Sequence, residues 1–168
     1  LTWVLDGKIK HQDSTGNSGE IVPGDLQLMS AGTGIRHSEM NGLDDQSTHM
    51  LQIWIEPGTA GIDPGYQQAS FDVEGRTNKW QLIASNDARE GSRRIHQDAS
   101  VSVSVIGEGQ RLEARAGDSR YAYVHIARGR VEIDGRVFES GDAVSFEDGQ
   151  ALELRSVVDS EALLFDLV

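Results

Sequence analysis

Short alternating segments, each closed by a glycine turn, run the length of this chain, and no apolar spacing of 3.6 residues persists for a helical length. That pattern restricts the fold to the all-β class. Strands are predicted at Trp3–Leu5, Lys8–Asp13, Leu26–Ser30, Arg36–Asn41 and His49–Glu56, then at Trp80–Ser85, Arg93–Gln97, Ser100–Ile106, Arg111–Arg115 and Tyr121–Ala127. Arg130–Ile133, Arg136–Phe138, Ala143–Phe146, Ala151–Arg155 and Ala162–Leu167 complete the set. The pairs Asp6-Gly7 and Asp134-Gly135 read as tight hairpin turns, because both supply the positive φ that such a turn requires. Ser14–Gly19 reads as a polar loop, and a short helical turn capped by Asn86 is expected near Asp87–Glu90. His49–Glu56 carries apolar residues on both faces and reads as a strand buried on both sides.

A weak internal repeat divides the chain. VLDGKIKHQD, IVPGDLQLMSAG and HMLQIWI in the first part are echoed by IARGRVEIDG, FESGDAVSFEDG and EALLFDL in the second. Two antiparallel barrels or sandwiches are therefore expected. The expected boundaries are 1–57 for the first, 58–70 for a linker rich in glycine and proline, and 71–168 for the second.

Composition removes several chemistries. The chain has no cysteine, so disulfides, thiolate metal sites and cysteine nucleophiles are excluded. No apolar run approaches the ~18 residues of a membrane span, and no signal-type segment is visible, so a soluble cytoplasmic protein is expected. The net charge is −12, spread evenly along the chain, which argues against nucleic acid as a direct partner. No Gly-x-Ser-x-Gly elbow and no phosphate-binding glycine loop leading into a helix is present.

The sharpest local feature is Ala31-Gly32-Thr33-Gly34-Ile35-Arg36-His37-Ser38-Glu39-Met40-Asn41. On a strand, His37 and Glu39 share a face about 7 Å apart, at ~3.3 Å per residue, and can converge on one metal ion. Imidazole with carboxylate suits iron, manganese, zinc or nickel. Taken alone, a His-x-Glu pair is more often a structural or surface pair. His11 shares a face with Ile9 and Asp13, and is read as a buried histidine held by Asp13 rather than as a ligand. His49 reads as a strand-end or core histidine, and neither His96 nor His125 has a partner two residues away in His-x-His fashion. Met29, Ile35, Met40 and Trp54 are candidates for an apolar pocket wall, with ordinary core as the competing and favoured reading.

HQDSTGN (11–17), VPGDLQLMSAGTGIRHSEMN (22–41), LQIWIEP (51–57), SNDAREGS (85–92), IHQDA (95–99) and LLFDL (163–167) together resemble the pirin family of bicupins through essentially the whole chain. The resemblance implies two cupin barrels, the second degenerate and free of metal. It also implies a mononuclear metal, most often iron, held by three histidines and one glutamate in the first barrel. His37 and Glu39 match one of those histidines and the glutamate, and Glu39 would serve both as ligand and as base.

The other two histidines belong to an HPH-type motif, and the chain contains no His-x-His at all. Leu1 already reads as strand. The first barrel is therefore expected to be incomplete, with part of its core uncovered and the metal absent or weakly bound. The implied activity is that of a metal-dependent dioxygenase opening a flavonol such as quercetin, impaired in this chain. The alternative is a non-catalytic regulator working through protein contact, and an open first barrel could also drive self-association.

Overall fold

The computed structural model describes all 168 residues and resolves them into two compact units, Leu1–Asp72 with Ile95–Gln97, and Val73–Arg94 with Asp98–Val168. It is almost entirely strand, as the alternation requires. No helix is long and apolar enough to cross a membrane.

The first unit holds β1 (Thr2–Asp6), β2 (Ile9–Asp13), β3 (Ser18–Ile21), β4 (Asp25–Ser30), β5 (His37–Asn41), β6 (His49–Gln52) and β7 (Gly65–Ser70). They form two antiparallel sheets, a four-stranded one in the order β6-β1-β4-β7 and a three-stranded one in the order β3-β2-β5. The inner faces of the two sheets share an apolar cluster of Val4, Ile9 and Ile21, with Met50 packed against it. Trp3, Val4 and Leu5 are all buried, so β1 lies within its unit rather than at an uncovered edge.

The second unit holds a short helix, α1 (Val73–Arg76), then β8 (Gln81–Ser85), β9 (Arg93–Arg94), β10 (Ser100–Ile106), β11 (Arg111–Arg115), β12 (Tyr121–Arg128), β13 (Arg130–Ile133), β14 (Arg136–Glu139), β15 (Ala143–Glu147), β16 (Ala151–Ser156) and β17 (Ser160–Leu167). A six-stranded sheet, β15-β12-β17-β10-β8-β9, and a four-stranded one, β11-β16-β13-β14, enclose a core that includes Ile106, Val124, Ile126, Val131, Leu154 and Ala162.

Four local expectations are corrected. First, Asp6-Gly7 does not close a hairpin. β1 pairs with β4 and β6, and β2 with β3 and β5, so this dipeptide is a corner that carries the chain from one sheet to the other. Only Gly7 has positive φ there, whereas at 134–135 both residues do (Asp134 φ 49°, Gly135 φ 75°) and Ile133 pairs with Arg136 in a true hairpin. A two-residue turn of this kind needs both positions left-handed, and that is what separates the two sites.

Second, His49–Glu56 is not a doubly buried strand. β6 ends at Gln52, is an edge strand paired only with β1, and is followed by Trp54, which is 91% exposed. Third, the expected linker 58–70 becomes strand in its second half, since Gly65–Ser70 pairs with β4 along its whole length. Fourth, the turn near residue 87 is a 3-10 turn at Arg89–Gly91 that begins from a left-handed Ala88, with no side-chain cap from Asn86.

Candidate metal centre and cavity

Register builds the site. β2 and β5 lie side by side with His11 opposite Glu39 and Asp13 opposite His37. Directly opposed residues point to the same side of a sheet, so these four side chains form a square on one face. Imidazole nitrogens of His11 and His37 and a carboxylate oxygen of Glu39 all lie within 4.8 Å of one another. His11 Nδ1 is 3.9 Å from Glu39 Oε1, and the two imidazole rings are 5.7 Å apart.

The other sheet supplies a matching polar row. Gln52, Thr2, Gln27 and Gln68 are register partners on β6, β1, β4 and β7, and so share one face. Gln52 Nε2 donates to Glu39 Oε2 at 2.7 Å, the Thr2 hydroxyl to Glu39 Oε1 at 3.3 Å, and Gln27 Nε2 lies 2.8 Å from His11 Nδ1. Both carboxylate oxygens of Glu39 are thus held from the facing sheet. Sequence reasoning missed this row. Its signal is Thr2 and Gln27, buried polar residues inside otherwise apolar strands, since a buried polar group has to find a partner.

His11 is buried and oriented. Asp13 receives hydrogen bonds on one oxygen from the Thr15 and Asn17 backbone N–H groups and the Thr15 hydroxyl, and on the other from the Asn17 amide. His11 Nε2 lies 3.3 Å from that second oxygen. Burial acts to raise the Asp13 carboxyl, but the bonds from Thr15, Asn17 and His11 outweigh it and hold the group well below the usual carboxylate range. His11 Nε2 thus faces Asp13, and Nδ1 faces Gln27 and Glu39. The reading of His11 as a histidine held by Asp13 agrees with this geometry. Tyr66 stacks on the His11 ring at 4.9 Å and donates its hydroxyl to Gln68 Oε1 at 2.9 Å. Burial raises the Tyr66 phenol above its ordinary value, and the charges of Asp13, Glu39 and Asp25 add to that.

A cavity of about 550 Å³ opens beside the square, a size within the range of small-molecule sites. His37, Glu39, Thr2, Gln27 and Gln52 form its polar wall, and Met29, Ile35, Ile53, Trp54, Ile55 and Ile62 are among its apolar lining. Three of the four wall candidates, Met29, Ile35 and Trp54, therefore face the cavity, while Met40 is exposed elsewhere. His96 lines it too, from the segment 95–97. Its backbone carbonyl accepts from Gly58 N–H, and Gln97 Nε2 donates to Glu56 O. His49 is an exposed strand-end residue, and His125 lies in the second unit, half-buried on β12.

Gly32 of the AGTG motif shapes another part of the cavity wall. A Cβ at Gly32 (φ +53°) would sit 2.2 Å from the Ile62 carbonyl oxygen, the same oxygen that accepts Thr33 N–H at 3.0 Å. Only glycine permits that approach, which brings the 61–64 segment against the cavity.

Residues 1–55 match the family described as Pirin, and residues 82–167 match the quercetinase C-terminal cupin domain. The chain is 40% identical over 168 residues to the quercetin 2,3-dioxygenase of Escherichia coli strain K12, covering 99% of this chain and 71% of that one.

The chain belongs to the pirin family.

This pirin is also 35% identical over 167 residues to a pirin-like protein of Caulobacter vibrioides, covering 99% of the chain and 72% of the relative. Its structure is similar to that of YhhW from Escherichia coli, with a TM-score of 0.91 and 39% identity over 99% of this chain and 70% of that one. It is likewise similar to the bacterial pirin YhhW in complex with nickel(II), with a TM-score of 0.88 and 38% identity over the same shares. The all-β cupin fold expected from the sequence is the fold of these relatives. Two imidazoles and a carboxylate, of which His37 and Glu39 lie on the cavity wall and His11 is buried behind it, are a donor set suited to a divalent transition metal.

Proposed function

We propose that this pirin is a metal-dependent dioxygenase that opens a flavonol-like planar phenol, with iron as the metal and His37 and Glu39 among its ligands. The observation that carries the reading is the convergence of His37 and Glu39 on the wall of a cavity whose other side is apolar. A relative 40% identical is a quercetin 2,3-dioxygenase, which supports the dioxygenase reading, and a similar structure is a nickel(II) complex, which supports a metal at such a site. The bound metal would supply the redox centre at which substrate and O₂ meet.

The chain's own residues do the rest. Glu39 accepts the proton of the substrate hydroxyl, and the Gln52 and Thr2 donors keep its carboxylate aimed. Met29, Ile35 and Ile53 take the flat rings and exclude water, and Trp54 meets them at the solvent side.

The test is aerobic incubation of the Fe(II)-loaded chain with quercetin, following flavonol absorbance and O₂ uptake. Consumption should exceed that of free Fe(II) and should disappear in Glu39→Gln and His37→Gln. Equal consumption by the native chain, the two variants and free metal would overturn the proposal.

A further inference from the structure

We propose that His96 is a second polar anchor of the cavity, a specificity-determining residue that takes a hydroxyl of a polyhydroxylated aromatic ligand remote from the one facing Glu39. The inference rests on the reading of the cavity as a phenol site and states which phenols it prefers.

The segment carrying His96 is fixed in place. Ile95, His96 and Gln97 all line the cavity. Ile95 is buried, the His96 carbonyl accepts Gly58 N–H at 2.7 Å, and Gln97 Nε2 donates to the Glu56 carbonyl at 2.9 Å. The fit at Gly58 is close, since a Cβ there would stand 3.2 Å from Gln97 Oε1 and 3.6 Å from the His96 carbonyl oxygen.

The strap 53–58 therefore joins two polar points. Gln52, just before it, holds Glu39 Oε2, and Gly58, at its end, holds the His96 backbone. Between them Ile53, Trp54, Ile55 and Pro57 line the cavity. A planar ligand lying along this apolar strap has the carboxylate toward one end and the imidazole toward the other.

His96 also has its hydrogen-bonding capacity to spare. The side chains of Thr2, Gln27 and Gln52 are engaged with Glu39 and His11, and that of Gln97 with Glu56. The His96 ring is exposed and makes no hydrogen bond within the chain, and apart from His37 it is the one imidazole among the lining residues. A neutral imidazole donates from one nitrogen and accepts at the other, and a phenolic hydroxyl can answer either. In a mostly apolar pocket a few such groups fix the orientation of the ligand. A flavonol with hydroxyls on its outer rings can reach both points, whereas one with only the reacting hydroxyl can reach only the first.

The experiment compares quercetin with 3-hydroxyflavone, which keeps the reacting hydroxyl and lacks those of the outer rings. Binding to the full chain, with no metal added, is followed by tryptophan fluorescence quenching. His96→Ala should weaken quercetin binding about 3–10-fold, the worth of one hydrogen bond, and 3-hydroxyflavone binding less than about 2-fold. His96→Gln, which keeps a donor and an acceptor, should recover most of the quercetin affinity. Both variants should melt as the native chain does, because the side chain is exposed.

Equal weakening of both ligands, or native quercetin affinity in His96→Ala, would overturn the role of His96. Failure of both ligands to bind the native chain would overturn the phenol reading with it. Quercetin binding that depends on His96, without consumption by the Fe(II)-loaded chain, would bear out this inference and overturn the dioxygenase reading alone.

Discussion

Replacing Gly32 with alanine tests the link between the AGTG motif and the cavity wall. Gly32 has φ +53°, a region where alanine costs about 1–2 kcal/mol. The new methyl would also stand 2.2 Å from the Ile62 carbonyl oxygen, against backbone rather than a yielding side chain. Relieving that contact means pushing the 61–64 segment away, which breaks the Thr33 N–H to Ile62 O bond, worth about 0.5–1.5 kcal/mol. The segment cannot retreat freely, because Gly65 is already paired with Ser30 at the start of the β4–β7 ladder. The sum for Gly32→Ala is about 2–4 kcal/mol, taking backbone strain, the lost bond and residual crowding together.

Gly61 is the control. It also has positive φ (+74°), lies in the same segment, and has nothing within 4 Å of the point where an alanine methyl would stand. Gly61→Ala should therefore cost only the strain, about 1–2 kcal/mol. Native-state hydrogen exchange of the β4 and β7 amides measures both, and the Thr33 amide should lose protection only in Gly32→Ala. Equal destabilisation by the two substitutions, or an unchanged Thr33 amide, would show that the close approach does not shape this wall.

Three further outcomes are expected. Trp54→Ala should change stability by less than about 0.5 kcal/mol, since the side chain is 91% exposed, yet remove most of the fluorescence quenching produced by quercetin. Undiminished quenching would place the flavonol elsewhere. Leu154→Ala, in the fully buried core of the second unit, should cost about 2–5 kcal/mol in urea unfolding, and a loss under about 1 kcal/mol would contradict the packing described. Burial lowers the pKa of His125. The unfolded chain then takes up this proton near its ordinary value of about 6.5, before the folded chain does, so stability falls as pH drops from there toward the folded value. His125→Gln should flatten that part of the pH–stability curve, and an identical curve in the variant would refute the assignment.

The strands of the second unit were largely legible, because Ser100–Ile106 and Arg111–Arg115 alternate cleanly and Asp134-Gly135 has a turn chemistry that permits one reading. The first unit was harder for a physical reason. Its strands change partners between two sheets, so Asp6-Gly7 has hairpin composition without a hairpin's pairing, and β3 and β7 are too polar to stand out from loops. That His37 and Glu39 share a face was visible from their spacing along one strand, whereas their reading as ligands came from the family resemblance. His11 was seen as buried and tied to Asp13, but its position opposite Glu39 is a cross-strand fact that no local spacing encodes. The same holds for Thr2, Gln27 and Gln52, which meet only through register.

That dependence gives the site an arithmetic of odd and even. Along β2 the square uses residues 11 and 13, and along β5 it uses 37 and 39, so each strand contributes by parity alone. Deleting one residue between Ile9 and His11 would turn Gln12 toward Glu39 and send both His11 and Asp13 to the opposite face, with the ladder otherwise intact. A deletion within 42–48 leaves that parity untouched, because the loop lies beyond the paired residues. Length variation among relatives should accordingly collect in such loops and be absent as single steps within β2 and β5, even where the amino acids themselves vary.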